Sequence, residues 1–317
     1  MNVVALSGGV GGAKLAHGLY QALEPDTLTL IVNTGDDFDH YGLRICPDLD
    51  TALYTLAGIA NEATGWGVAD DTWTALDMLR RYGVDTWFQV GDRDFATHIL
   101  RTERLRSEAT LSEAIAALAS ALGIHAAILP MADEPVPTIV RTPSGELAFQ
   151  DYFVRRRHED DALAVRYDGA DGARPTAQAR AGLAKAEVIL LCPSNPFVSI
   201  GPILAVAGMR DLVRSASAPR VAISPIIGGK ALKGPADRML LTMGHEVSAY
   251  GVAAWYGDLL DGMVIDEQDA AQAARIEALG MRTLITNTVM ASATGRVRLA
   301  RDVLQFASSL QSSGASA

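Results

Sequence analysis

The sequence predicts an α/β protein with a mostly parallel sheet covered by helices on both faces. Three observations carry that prediction. Short runs of β-branched and apolar residues recur along the 317-residue chain. Longer amphipathic stretches with helical periodicity separate them. The short runs do not alternate apolar with polar residues, as strands buried on both faces do not. About half of the residues are hydrophobic and a fifth are charged, which fits a globular chain with a substantial core and excludes wholesale disorder.

The expected strands are Val3–Leu6, Thr29–Val32, Ala126–Leu129, Val188–Leu191, Val221–Ser224, Met263–Ile265 and Thr283–Ile285. Helical patterns cover Ala13–Leu23, Leu49–Ala60, Thr72–Arg81 and Leu111–Leu122, and Gly295–Leu310 forms another helix near the end. One section breaks the rhythm. "PTIVRTPSGELAFQDYFVRRR" alternates apolar and polar residues around Pro143-Ser144-Gly145 and reads as a β-hairpin. Residues 134–184 form an excursion from a single domain spanning 1–310, and 311–317 is a tail expected to be disordered.

The formal net charge is −10, which sets a nucleic-acid-binding role aside. Cys46 and Cys192 are the only cysteines and lie far apart, so a disulfide framework or cysteine zinc site is not expected. "MNVVALSGG" reads as a strand entering a loop and not as a signal peptide, and no long apolar run predicts a membrane span. A cytoplasmic protein acting on small molecules is the expectation.

"LSGGVGGAKLAHGL" follows the first strand and places Gly8, Gly9, Gly11, Gly12 and Lys14 at the start of a helix. It is not a Walker A loop, because Ala13-Lys14-Leu15 lacks the second glycine and the hydroxyl. It is not a dinucleotide fingerprint either, because Lys14 stands where the third glycine belongs. A glycine-rich strand-to-helix turn still presents N–H groups to an anion. Its bland alternative is a turn that packs helix on strand.

Three further loops follow strands in the same manner. The second strand runs into "NTGDDFDHYGLRICPDLDTALYTL", which gathers Asp36, Asp37, Asp39, Asp48 and Asp50. Carboxylates crowded beside a phosphate site need a cation between them, so Mg²⁺ is inferred, with Asp36, Asp37 and Asp50 as its ligands. The bland alternative is that Asp48 or Asp50 simply caps the helix beginning near Thr51; Asp48 fits that role well, and Asp50, one turn later beside the glycine-rich loop, is the better residue for chemistry. "CPSNPFVSIGPIL" and "SPIIGGKALKGPADRM" complete the set, the second with Lys230 and Lys233. Ligands bind beyond the C-terminal strand ends of open α/β sheets, so the four loops share one expected site. In "GWGVADDTW…DTWFQVGDRDFATH", Trp73 and Trp87 read as packing residues, Arg93 as a cation in a helix-opening turn, and His98 as structural.

Taken in order, "SGGVGGAKLAHGL", "NTGDDFDHYGLRICPDLDTALY", "GDRDFATHI", "CPSNPFVSIGPIL" and "ISPIIGGKALKGPADRML" resemble the CofD/FbiA family over nearly the whole chain. The resemblance implies a Rossmann-like three-layer α/β/α domain with a hairpin-containing insertion. It implies a 2-phospho-L-lactate (or phosphoenolpyruvate) transferase of coenzyme F420 biosynthesis. Such an enzyme moves the phospho-acid from a guanosine diphosphate derivative to the deazaflavin FO (7,8-didemethyl-8-hydroxy-5-deazariboflavin), uses Mg²⁺ and releases GMP. It further implies a homodimer that binds neither nucleic acid nor membrane. On this reading Asp50 is catalytic and contacts FO together with Arg93, Asn33 and Thr34. Gly8, Gly9, Gly11, Gly12, Lys14, Ser194, Asn195, Gly228 and Gly229 take the donor, with Ser194-Asn195 nearest to guanine. The rivals are a YvcK-like nucleotide-sugar-binding regulator and, more remotely, an NAD(P)-dependent oxidoreductase.

Overall fold

In the computed structural model, which describes residues 1–314, β1 (Val3–Ser7) leads through Gly8 into helix α1 (Gly9–Ala22) and then β2 (Leu28–Val32). A hairpin of β3 (Phe38–His40) and β4 (Leu43–Ile45) follows, then α2 (Pro47–Leu56), α3 (Thr74–Arg81), α4 (Asp92–Arg106) and α5 (Leu111–Ala121). β5 (Ala127–Pro130) closes this half. Next come the antiparallel strands β6 (Thr138–Thr142), β7 (Gly145–Ala148) and β8 (Ala164–Tyr167), then α6 (Ala177–Lys185) and β9 (Val188–Leu191). α7 (Gly201–Ala205), α8 (Met209–Ser215) and β10 (Arg220–Ile223) precede a tight hairpin of β11 (Ile226–Ile227) and β12 (Lys230–Ala231). The chain ends with α9 (Ala236–Thr242), α10 (Ala249–Tyr256), β13 (Gly262–Ile265), α11 (Ala273–Glu277), β14 (Arg282–Ile285) and α12 (Ala293–Gly314).

Seven strands form one parallel sheet in the order β14-β13-β10-β9-β1-β2-β5. Every one of the seven expected strands is in it. Successive residues supply opposite faces: Val4 and Leu6 enter one apolar core, Val3 and Ala5 the other. Both faces are therefore covered, and the strands carry unbroken apolar runs. From β1 the chain first builds outward to β2 and β5, then returns to the other side of β1 with β9. The order reverses between β1 and β9, and a crevice opens there beyond the strand ends.

The structure adds to the expectation at several points. The hairpin acquires a third strand, β8, which pairs with β6. α6 falls inside the expected 134–184 excursion but leads directly into β9 of the main sheet, so the excursion ends before it. α2 starts earlier than its apolar periodicity suggests, because Pro47 at its first position fixes a helical φ. Its N-cap is Cys46, with no side-chain cap bond, and Asp48 lies within the first turn. The capping role read for Asp48 is thus corrected. α12 continues to Gly314, so residues 311–314 are helical where a disordered tail was expected, and Gln311 donates to the Glu187 carbonyl at 2.6 Å. Residues 315–317 of that tail lie outside the described residues. Among the described residues no single helix is long and apolar enough to cross a membrane.

Candidate active site

A cavity of about 690 Å³ occupies the crevice. It is lined by the loops after β1 (Gly8–Gly11 and Lys14), β2 (Asp36), β9 (Pro193–Asn195), β10 (Ser224, Pro225, Ile227) and β14 (Thr288–Ala291). α2 contributes Asp48, Asp50, Thr51 and Tyr54, and α4 contributes Asp94 and His98.

The glycine loop is shaped by close backbone approach. A Cβ on Gly12 would stand 2.5 Å from the Ser7 hydroxyl and 2.7 Å from that of Ser194, and one on Gly11 would stand 2.4 Å from the Pro193 carbonyl oxygen. Gly9 differs: its φ is +62° and nothing lies within 4 Å of its Cβ position. The Ser194 hydroxyl accepts from the Gly8 N–H (3.2 Å) and donates to the Gly8 carbonyl (2.7 Å), pinning the loop after β9 to the loop after β1. The first-turn N–H groups of α1 have no intrahelical partners; that of Gly9 meets Asp48, and Gly9, Val10 and Gly11 line the cavity. Lys14 and Lys233 also line it, and burial together with the charge of Lys14 pulls the Lys233 ammonium below its ordinary pKa. Lys233 donates to the Thr64 carbonyl.

Two buried carboxylates face the cavity beside that cationic wall. The Asn33 side-chain amide donates to Asp36 (2.8 Å), to Asp48 (2.9 Å) and to the Val198 carbonyl (3.2 Å). Burial pushes Asp48 up to about 6, although the Asn33 amide and the Gly9 N–H both favour its charge. Burial, and then the neighbouring Asp48, push Asp36 well above the usual carboxylate range. Asp37 belongs elsewhere. It does not line the cavity, and burial pushes it up to about 8 against a hydrogen bond with the Cys46 thiol and the charges of Arg101 and Arg44. Among the described residues no group of three or more His, Cys, Asp or Glu side chains forms a metal cage.

Asp50 is held differently again. Both of its oxygens accept from Arg101, at 2.6 and 2.9 Å, and Arg101 is fully buried. Arg101 also reaches His98 Nδ1 at 2.7 Å and the Arg44 carbonyl at 3.2 Å. Tyr54 donates to Asp94 at 2.6 Å. The aromatic side chains Trp87, Phe88, Phe149 and Phe153 also line the cavity, as does Arg157. Arg155 lies 4.7 Å over the Trp87 ring.

The structure therefore gathers Gly8, Gly9, Gly11, Lys14, Asp36, Asp50, Ser194 and Asn195 around one cavity. Several expected site residues fall outside its lining. Gly12 is buried between Ser7 and Ser194. Asn33 and Thr34 are buried behind the carboxylates, where Asn33 positions Asp36 and Asp48. Gly228 and Gly229, with φ of +56° and +76°, are the turn of the β11–β12 hairpin. Arg93 is exposed, and its guanidinium donates to the Ala69 carbonyl. The expected metal trio Asp36, Asp37 and Asp50 does not converge. Asp50 is engaged by Arg101, Asp37 lies off the cavity, and the carboxylate beside Asp36 is Asp48. The side-chain groups of Ser194 and Asn195 are committed locally, Asn195 capping the turn at Phe197 (2.8 Å). Trp87 and His98, read as packing and structural residues, both line the cavity. Arg101 escaped the sequence reading. The spacing of Asp94, His98 and Arg101 on one helical face was the available signal.

Comparison with known proteins identifies the family. Residues 3–291 match the family model described as 2-phospho-L-lactate transferase CofD. A phosphoenolpyruvate transferase from Kitasatospora aureofaciens is 44% identical over 314 residues, covering 97% of this chain and 98% of its own. A 2-phospho-L-lactate transferase from Methanosarcina mazei is 39% identical over 303 residues, covering 96% and 99%. A crystal structure of a UPF0052 family protein from Bacillus halodurans shares the fold, with a TM-score of 0.62 at 16% identity over 96% of this chain and 98% of that one. The chain belongs to the CofD family of transferases.

Proposed function

We propose that this CofD family member transfers a phospho-three-carbon-acid group from its guanosine diphosphate derivative to the deazaflavin FO, releasing GMP. One observation carries the reading: a single cavity at the switch point is lined by two chemically different sets of groups. The N-terminus of α1, Lys14 and Lys233 suit a diphosphate. The aromatic side chains of Trp87, Phe88, Phe149 and Phe153 suit a flat, uncharged ring system. Asp50 stands in the same lining, where a ribityl hydroxyl can reach its carboxylate.

In the reaction the ribityl oxygen forms a bond to the phosphorus that carries the acid. The bridging P–O bond to GMP breaks, GMP keeps the bridging oxygen, and the hydroxyl proton passes to solvent. The protein binds and orients the two substrates. Asp50 accepts from the attacking hydroxyl, while the α1 N–H groups and the two lysines hold the diphosphate and take up charge as GMP leaves. No covalent protein intermediate is needed.

Mg²⁺ fits this site. Asp36 and Asp48 are two buried carboxylates sharing one amide, with raised pKa values that a cation would reverse. Two carboxylates plus phosphate oxygens and water is an ordinary donor set for Mg²⁺. Once bound there, the ion supplies charge neutralisation to the diphosphate.

The test is incubation of the protein with FO, Mg²⁺ and the guanosine-diphospho derivative of either lactate or enolpyruvate. Product is identified by mass and GMP by chromatography. Phospho-acid-linked FO with an equal amount of GMP is the expected result. Failure with both donors, combined with tight binding of a UDP-sugar, would replace the transferase by a regulator.

A further inference from the structure

We propose that Arg101 and His98 are positioning residues, which together hold Asp50 as a fixed hydrogen-bond acceptor for the hydroxyl of the acceptor substrate. The inference rests on the reading of FO as that acceptor, and it assigns roles to two side chains that the reaction scheme leaves unused.

The geometry is directional. A guanidinium has donors only, so the contact between Arg101 Nη2 and His98 Nδ1 at 2.7 Å makes Nδ1 the acceptor. The ring proton then sits on Nε2, which is 3.4 Å from Asp94 Oδ1. Tyr54 donates to the same carboxylate oxygen. Arg101 presents its fork to both oxygens of Asp50 and its Nε–H to the Arg44 carbonyl. Tyr54, Asp94, His98 and Asp50 all line the cavity, and Asp50 keeps carboxylate lone pairs beyond those that Arg101 occupies.

Stability does not account for the arrangement. Replacing a buried ion pair by apolar side chains of similar volume is often neutral or stabilising. α4 nevertheless places Asp94, His98 and Arg101 on its buried face. The neighbouring polar group Thr102 is buried there too and ties α4 to β4 by accepting from the Arg44 N–H at 2.8 Å. What the network provides is a carboxylate whose two oxygens cannot rotate, because a bidentate fork fixes its plane.

The test combines FO binding, followed by FO fluorescence, with steady-state kinetics on both substrates. Arg101→Met and His98→Leu should each raise the KM for FO at least ~10-fold while leaving the donor KM within about twofold, the size of effect typical of a coupled network. His98→Gln, whose amide oxygen can accept from Arg101, should bind FO more tightly than His98→Leu. In an Asp50→Asn background, Arg101→Met should change FO affinity by less than ~3-fold, because the residue through which it acts is gone. If Arg101→Met does not fold, as judged by circular dichroism, Arg101→Lys keeps the charge without the fork and should show the same loss in smaller degree. Folded Arg101 variants with wild-type FO affinity, or effects that add fully to Asp50→Asn, or equal losses for donor and acceptor, would overturn the proposal. If the wild type itself binds no FO, the acceptor assignment fails and this inference with it.

Discussion

At the scale of the residue, one glycine loop contains two kinds of glycine. Gly11 and Gly12 are required by the fold, because their Cβ positions collide with Pro193 and with Ser7 and Ser194. Substitution of either cannot separate donor binding from packing. Gly9 can, since its Cβ would meet no protein atom, although a left-handed φ adds strain of order 1 kcal/mol. Gly12→Ala should therefore lower the melting temperature, with an overpacking cost of about 1–3 kcal/mol. Gly9→Ala should fold and bind FO normally but raise the donor KM at least ~10-fold, equivalent to ~1.4 kcal/mol. Differential scanning fluorimetry and kinetics on the two variants decide it, and unchanged donor KM in Gly9→Ala would remove the loop from the donor site. The sequence showed that glycines gather here. Which of them face a ligand depends on Pro193 and Ser194, about 180 positions further along the chain.

At the scale of the element, α3 and α4 clasp each other by their N-termini. Asp71, just ahead of α3, accepts from the Arg93 and Asp94 N–H groups of α4 at 2.8 and 3.1 Å. Asp92 of α4 accepts in return from the Thr72 hydroxyl and from the N–H groups of Thr74 and Ala75 at the start of α3. Neither helix has a side-chain bond at its own N-cap, so each supplies the other's. The clasp holds the first turn of the helix that carries Asp94 and His98. The Thr72 hydroxyl first, and then the Ala75 N–H, hold Asp92 down at about 2. A depressed folded value means that the clasp stabilises fully above the ordinary carboxylate range and weakens as pH falls toward about 2. Asp92→Asn should therefore speed amide exchange at Thr74 and Ala75 near neutral pH, with the gap to wild type closing as the pH approaches about 2. A gap independent of pH would deny the carboxylate this role. The sequence showed an aspartate-rich turn before a helix. The exchange of caps between two helices involves residues about 20 apart and became visible only in three dimensions.

At the scale of the whole molecule, the cavity is assembled from loops distributed from Gly8 to Ala291, so bound substrates should tie both halves of the sheet together. GDP with Mg²⁺ at a hundred times its Kd should stabilise the fold by ~2.7 kcal/mol. EDTA should remove that stabilisation and abolish transfer, and added Mg²⁺ should restore both. Full transfer in a metal-free assay would take the cation out of the mechanism, leaving Asp36 and Asp48 as a simple carboxylate pair. By itself the sequence determined the seven strands, their parallel arrangement, and the strand-end loops that line the cavity. Those follow from local rules: apolar runs buried on both faces, helices between them, and glycine, proline and aspartate where strands end. Only the tertiary structure decided that Asp48 and not Asp37 stands beside Asp36, and that Arg101 holds Asp50 while Arg93 donates to the Ala69 carbonyl. Side-chain pairing across about 50 residues depends on how α2 and α4 are rotated against the sheet. That rotation is set by packing, and no local pattern encodes it.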